Sequence, residues 1–534
     1  MEKEYIVVVK KGIDVADVDT QMAAAIGDSS IPNRPCECAN ELNHNSRMTH
    51  WMLTDEEAEA LMNDDRILSV ELPLADNDMI EMHPSTRQLG DFDKSQTASG
   101  INWGLNRCSS ATNQFPFGTN VVNENYLYAL DGTGIDVVIM DTGIEVNHPE
   151  WEDSNGVSRL KQINWYNESG GTISGTQGAQ HYTDTDGHGT FCAGIVAGKT
   201  YGWAKNADIY VIKIFDTDEI SSTSEAIVLV TAWHNIKGTG RPTVLNMSYG
   251  FSFNTDVGAK AGDSGSYFND NTSQTESWTF GDAGFDTITN VSYRTNFSHV
   301  GSASARNSSI DASIDLMIDA GVHVVIAGGN NFDVQYNIGD DHYNDTFSRP
   351  GFSNNLNYHR GSSPRTTDDS DDIVVGNISN SLRESPNGQS SSNINDVNLE
   401  SSANSSARGP GIDIWAPGTF ITSATSNTQT LSGINASYPF DASFKIANST
   451  GTSFSAPQVA GLAALYLQLE PTLTPAQLKA KMIADSKEEV LFDSTEAKYQ
   501  EELKYQYVFE GGLFDAPNRM MFNPFHGDVI AKWE

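Results

Sequence analysis

Apolar residues along the chain fall into two regimes. In the first part they form short runs separated by polar stretches. YIVVV (5–9), MTHWML (48–53) and ILSVEL (67–72) predict strands, and VADVDTQMAAAI (15–26) predicts a helix. Thr54 and Glu57 predict a capping box for a second helix, DEEAEALM. Residues 1–75 therefore form a small α+β unit, and the polar, irregular stretch 76–100 is expected to be a linker. Beyond 101 the strand-like runs become apolar throughout: IDVVIM (135–140), ADIYVIKIF (207–215), TVLNMS (243–248), VHVVIA (322–327) and DIVVG (372–376). Strands apolar on both faces and separated by helical segments predict an α/β fold, a parallel sheet covered on both sides. Two stretches rich in Asn, Ser and Gly, near 251–307 and 377–409, read as surface insertions, and 527–534 as a tail.

The stretch GTSFSAPQVAG (451–461) opens another apolar run. Val459, Leu462, Ala463, Tyr466 and Leu469 recur at steps of three or four, which predicts a buried helix. Pro457 is expected in or near its first turn, where a missing N–H costs little. Ser453 then stands at the helix start, where free N–H groups favour negative charge. Such a serine can cap the helix, or it can attack a carbonyl.

In an open parallel sheet, functional groups gather at the carboxyl ends of the strands. IDVVIM ends in DTG, with Asp141 at the strand end. DTDGHGTFCAGIVAG (184–198) sets His188 before a helix, with His181, Asp184 and Asp186 nearby as an alternative metal cluster. VHVVIA ends in AGGN, with Asn330 at the tip. Taken singly, each has an ordinary structural role. Together they put an acid, an imidazole, a carboxamide and a serine on one rim.

Composition removes several function classes. The 70 acidic and 32 basic residues give a formal net charge of −38, which argues against nucleic acid or an anionic membrane as partner. No apolar run approaches the roughly 18 residues that span a bilayer, and the N-terminus does not read as a secretory signal. Four cysteines in 534 residues make no disulfide framework, and the CEC pair, Cys36 and Cys38, lacks a second pair to complete a zinc site.

DTG, HGT and GTSFSAP, in this order, resemble the three signatures of the subtilisin-like serine proteases. INWGLNR (101–107), NMSYG (246–250), AGGNN (327–331), WAPG (415–418) and PNRMMFNPF (517–525) extend the resemblance over most of the chain. Residues 5–74 resemble the family's inhibitory propeptide, and Cys192 the buried cysteine of proteinase K-like members. The sequence departs from the pattern at Phe191, Phe454, Ser455 and Gln458, none of them a triad position. The family's edge strand for substrate has no clear counterpart in 216–226.

The resemblance implies a subtilisin-like catalytic domain over 101–526, preceded by a ferredoxin-like propeptide. It assigns Asp141, His188 and Ser453 to a triad and Asn330 to the oxyanion hole. Substrate would lie along Ser248, Tyr249 and Gly250 and along Ala327, Gly328 and Gly329. The expected activity is broad endopeptidase action with large apolar residues favoured before the cut, the protein being made as a self-processing zymogen. Protein or peptide substrates, the chain's own residues 1–75 as inhibitor, and a monomeric state are expected. No cofactor is needed for the chemistry. Structural calcium is implied, with NIGDDHYND (337–345) and TTDDSDD (366–372) as acidic loops able to offer oxygen ligands. The alternative is a catalytically silent protein keeping the fold, for instance in a virus particle. The destination stays open between extracellular and virion-associated.

Overall fold

A computed structural model describes residues 2–26, 30–40, 47–73, 80–84, 102–109, 126, 128–215, 220, 222–254, 264–269, 273–279, 302–331, 333–347, 356–382, 400–403, 405–428, 431, 434–493 and 513–525. The N-terminal unit runs β1 (Lys3–Val9), α1 (Val15–Ala24), β2 (Cys38–Asn40), β3 (Met48–Leu53), α2 (Asp55–Leu61) and β4 (Ile67–Glu71). Its antiparallel sheet has the order β2-β3-β1-β4, the ferredoxin-like pattern. The expected capping box of Thr54 and Glu57 is present. Because side chains alternate across a strand, Tyr5, Val7 and Val9 pack with Val15, Val18 and Leu61 on the helical side. Ile6 and Val8 point the other way and meet Met48 and Ala312.

The stretch expected to be an irregular linker contains a strand, β5 (Ile80–Pro84). After α3 (Trp103–Arg107) come β6 (Asp136–Asp141), α4 (Trp165–Glu168), α5 (His188–Ala197), β7 (Asp208–Lys213), α6 (Thr223–Ile236) and β8 (Thr243–Met247). The region expected to be an insertion begins with β9 (Tyr249–Asn254), holds β10 (Ser264–Asn269) and β11 (Gln274–Thr279), and closes with β12 (Ser302–Ala305). β9 is the middle strand of a three-stranded sheet, between β12 and β5. Then follow α7 (Ser308–Asp319), β13 (His323–Ala327), β14 (Thr346–Phe347), β15 (Leu356–Asn357) and β16 (Ile373–Leu382). The second expected insertion also shares residues with the main sheet, through the end of β16 and through β17 (Glu400–Ser402).

β18 (Ile414–Pro417) joins the main sheet, whose order from one edge is β7-β6-β8-β13-β16-β18, all parallel. The apolar strands pack on both faces as expected. Val137 and Ile139 face a layer containing α5 and the long helix α8 (Thr452–Leu469). Val138 and Met140 face α6 and α7. β6 has β7 on one side and β8 on the other, so the chain reverses its direction of winding there. That switch point opens a crevice at the carboxyl ends. No helix among the described residues is long and apolar enough to cross a membrane.

Candidate active site

Asp141 ends β6 at the crevice. Its Oδ1 accepts the Thr142 N–H (2.8 Å) and lies 2.7 Å from His188 Nδ1. Both side chains are fully buried. His188 is the first residue of α5, and two glycines allow that helix start to reach the strand end. A Cβ on Gly189 would strike the Gly143 carbonyl; one on Gly143, where φ is +115°, would strike the Thr183 carbonyl.

Asp184 clamps this junction. Its carboxylate accepts from the Thr142 hydroxyl (3.0 Å), the Gly187 N–H (2.7 Å), and the Thr190 N–H and hydroxyl (2.9 and 2.5 Å). Thr142 Oγ1 in turn accepts the Gly189 N–H (2.8 Å). So the residue after Asp141 and the residues around His188 share one carboxylate. His181 Nε2 lies 3.3 Å from the Val211 carbonyl and burial lowers its pKa to about 4. The expected alternative, a metal held by His181, Asp184 and Asp186, does not fit, because Asp184 is saturated by donors.

Burial works against a charged His188. The Asp141 carboxylate outweighs it and holds the imidazole well above the usual histidine range. Burial also pushes the Cys192 thiol up, so it is neutral near pH 7. Cys192 Sγ lies 3.8 Å from His188 Nδ1 and donates to the Ser453 carbonyl (3.4 Å). The cysteine is thus beneath the imidazole, as the resemblance implied.

Ser453 is the second residue of α8. The helix opens at Thr452, so Pro457 stands in its second turn, not the first. A proline there has no N–H for the carbonyl four residues back, and that carbonyl belongs to Ser453. Ser248 Oγ supplies the missing donor (2.8 Å), alongside Cys192 Sγ. Ser453 Oγ returns the bond by donating to the Ser248 carbonyl (2.9 Å). His188 Nε2 has no hydrogen-bond partner among the described residues. Ser453 is fully buried, not an exposed hydroxyl.

Asn330 follows β13. Its Oδ1 accepts the Thr452 N–H (2.9 Å) and hydroxyl (3.0 Å). A backbone N–H can only donate, so the oxygen faces Thr452 and the NH2 end is turned elsewhere. Ser248 to Gly250 and Ala327 to Gly329 continue β8 and β13, which are neighbours in the sheet. β5 runs antiparallel to β9, with His83 opposite Gly250 and Pro84 opposite Tyr249. The expected triad, Asn330 and both substrate segments therefore meet at one rim.

A family model described as the subtilase family matches residues 132–506. The chain belongs to the subtilase family.

This subtilase is 26% identical over 435 residues to the subtilisin-like serine protease Cur l 4.0101 of Cochliobolus lunatus, covering 79% of this chain and 62% of that protein. It is 26% identical over 388 residues to subtilisin-like protease 1 of Pseudogymnoascus destructans, covering 72% of this chain and 63% of that one. Fervidolysin from Fervidobacterium pennivorans, a solved structure, aligns over 97% of this chain and 60% of its own, at 16% identity and a TM-score of 0.46. The chain thus spans less than two thirds of the length of the first two relatives.

The departures from the family pattern explain one another. The Phe191 and Phe454 rings pack with centroids 4.6 Å apart, and Phe454 lies 5.6 Å from the His188 ring. Gln458 exchanges two hydrogen bonds with Asn102 (2.8 and 2.7 Å) and accepts from Trp203 Nε1 (2.6 Å), tying α8 to the start of α3. Ser455 Oγ has no hydrogen-bond partner among the described residues and faces Gly418, apart from the reacting groups. Sequence reasoning missed the roles of Thr142 and Pro457 and named Asp184 only as a possible metal ligand.

Three carboxylates of the acidic loops 337–345 and 366–372 are engaged within the protein. Asp369 pairs with Arg306 (2.7 Å) and Arg365 (3.0 Å), Asp372 accepts from Thr366, and Asp345 pairs with His342 (2.9 Å). These three are held by internal cations and donors and are not free to serve as ligands of the calcium that the resemblance implies. Of 216–226, residues 216–219 and 221 lie outside the described residues, as do 85–100 of the linker and the tail 527–534.

Proposed function

We propose that this subtilase is a serine endopeptidase acting on proteins or peptides, with Ser453 as nucleophile, His188 as general base and Asp141 as its orienting anion. One observation carries the reading: the 2.7 Å Asp141–His188 contact stands at the same rim as Ser453 and Asn330. A serine hydroxyl needs a base to take its proton. Asp141 holds the Nδ1 proton, so Nε2 is the basic atom. When substrate takes the Ser248 carbonyl for its own N–H, Ser453 Oγ loses that acceptor and turns to His188. The hydroxyl then adds to the scissile carbonyl while its proton passes to His188 Nε2. The oxyanion meets the Ser453 N–H and Asn330 Nδ2. His188 returns the proton to the departing amine, and water repeats the sequence on the acyl-enzyme. Nothing in this chemistry calls on a cofactor.

We infer further that residues 1–75 are an inhibitory propeptide within the zymogen. Three contacts support this. Ala312 of α7 joins the apolar cluster of Ile6, Val8 and Met48; Arg47 pairs with Asp315; and the Ser308 N–H at the start of α7 donates to Glu71 (3.1 Å). β5 takes the place along β9 that extended substrate would use. The triad's complete burial suits an occluded precursor. Self-cleavage is expected C-terminal to Pro84, whose strand partner Tyr249 adjoins Ser248, the residue bonded to Ser453. Purified wild-type protein should shorten to begin after residue 84 and hydrolyse casein, while Ser453→Ala stays full length and inactive. Equal shortening of both proteins, or a wild type that neither shortens nor hydrolyses, would overturn the reading.

A further inference from the structure

At the amino ends of β8 and β13, the opposite end of the sheet from the triad, a cleft of about 780 Å³ opens between the last turns of α6 and α7 and residues 471–476. Its polar groups divide by what they already hold. Lys237 Nζ donates to Asp136 Oδ2 (2.7 Å) and to Thr243 Oγ1 (2.6 Å), and Arg241 pairs with Asp136 (3.2 Å) and Asp208. His234 Nδ1 lies 2.8 Å from Thr243 Oγ1. The cations lining the cleft are thus neutralised from within the protein.

Three other groups lining it are not engaged. His323 opens β13 and is 3% exposed, yet its ring makes no hydrogen bond among the described residues. Its Nδ1 is sealed from solvent without a partner, which leaves Nε2 as the nitrogen open to the cleft. Burial lowers the pKa of this ring to about 4, so near pH 7 it is neutral and brings no positive charge. Half-buried Asp371 and exposed Asp319 likewise have no hydrogen bond or ion pair among the described residues. A buried polar ring left this way favours a ligand that pairs with it, and two uncompensated carboxylates set the sign of that ligand's charge.

The register Val325↔Ile373 between β13 and β16 brings His323 level with Asp371, two residues earlier on each chain, whereas Asp319 ends α7. His323, Asp319 and Asp371 are too far apart to share one metal ion, so a ligand that meets all three must span the cleft. Ile318 and Leu473 give the span an apolar wall.

We propose that this cleft binds a small aliphatic diammonium ion. One ammonium meets Asp371 and His323 Nε2, the other meets Asp319, and the methylenes between them lie along Ile318 and Leu473. The site is separate from the triad and does not depend on its chemistry.

The test is calorimetric titration of 1,4-diaminobutane into full-length Ser453→Ala protein, which cannot digest itself, in about 0.15 M salt to screen the acidic surface. One saturable site per chain is expected. Asp371→Asn and His323→Phe should each weaken it about ten-fold or more, the size expected for a lost hydrogen bond to a charged group. The single charge of 1-aminobutane should bind about ten-fold or more weakly. No saturable site, equal affinity in Asp371→Asn, or displacement by magnesium as effective as by 1,4-diaminobutane itself would overturn the proposal. If His323→Phe does not fold, Asp371→Asn, which removes no existing contact, decides alone.

Discussion

Ser453 and Ser248 exchange hydrogen bonds, each hydroxyl donating to the other's carbonyl at 2.9 and 2.8 Å. The exchange exists because Pro457 deprives the Ser453 carbonyl of its helical donor. It joins the first turn of α8 to the end of β8 and parks the nucleophile on the acceptor that substrate will claim. Ser248→Ala should therefore cost about 1–3 kcal/mol of stability, the usual penalty for a buried group left short of a partner. In the Pro457→Ala background the restored N–H should recover most of that loss. A double-mutant cycle by denaturant unfolding measures it, and additive losses would show the two sites to be independent.

Asn330→Ala should lower turnover about 100- to 1,000-fold, the size of effect known for such a donor in subtilisin, with little change in KM. Charge develops on the oxyanion only in the transition state, so binding of the ground state is spared. Steady-state kinetics decide; a raised KM with normal turnover would place Asn330 in the binding pocket instead.

The raised pKa of His188 has a direct kinetic sign. His188 must be neutral to take the Ser453 proton, so kcat/KM should rise with pH along a limb above the ordinary histidine value of about 6.5. The neighbouring thiol is neutral there, so Cys192→Ala should leave the limb in place. A limb below pH 6 in the wild type, or a large displacement in Cys192→Ala, would contradict this electrostatic account.

Four histidines, three of them buried and His234 partly so, give the opposite sign for stability. Burial lowers the pKa values of His181, His234, His323 and His359 to about 4. The unfolded chain binds protons at these sites near 6.5 and the folded one only near 4. Their contribution is complete above pH 6.5 and is lost as the pH falls towards 4. Thermal melts of Ser453→Ala, which cannot digest itself, should fall steeply through that window; a flat melting temperature from pH 7 to 4 would refute the assignment.

The rim was legible in the sequence because chemistry confined to short segments marks itself: Asp141, His188, Asn330 and Ser453 each follow or open a run of clear period. The apolar strands from β6 to β16 were legible for the same reason. β5 was not, because its pairing depends on the edge that β9 offers rather than on its own pattern. Pro457 lies just past the first turn of α8, near where the sequence put it, because the helix opens without a side-chain cap, on an extended Gly451. Asp184 and Thr142 act through partners far away in sequence or through main-chain donors, and no spacing announces them.

The most direct measurement is the intact mass of the processed protein after reaction with a fluorophosphonate. The account predicts one adduct per chain, mapped to Ser453, with none on Ser453→Ala and labelling slowed at least about 1,000-fold in His188→Ala, which lacks the base. An adduct on another serine, or equal labelling of Ser453 with and without His188, would contradict the triad.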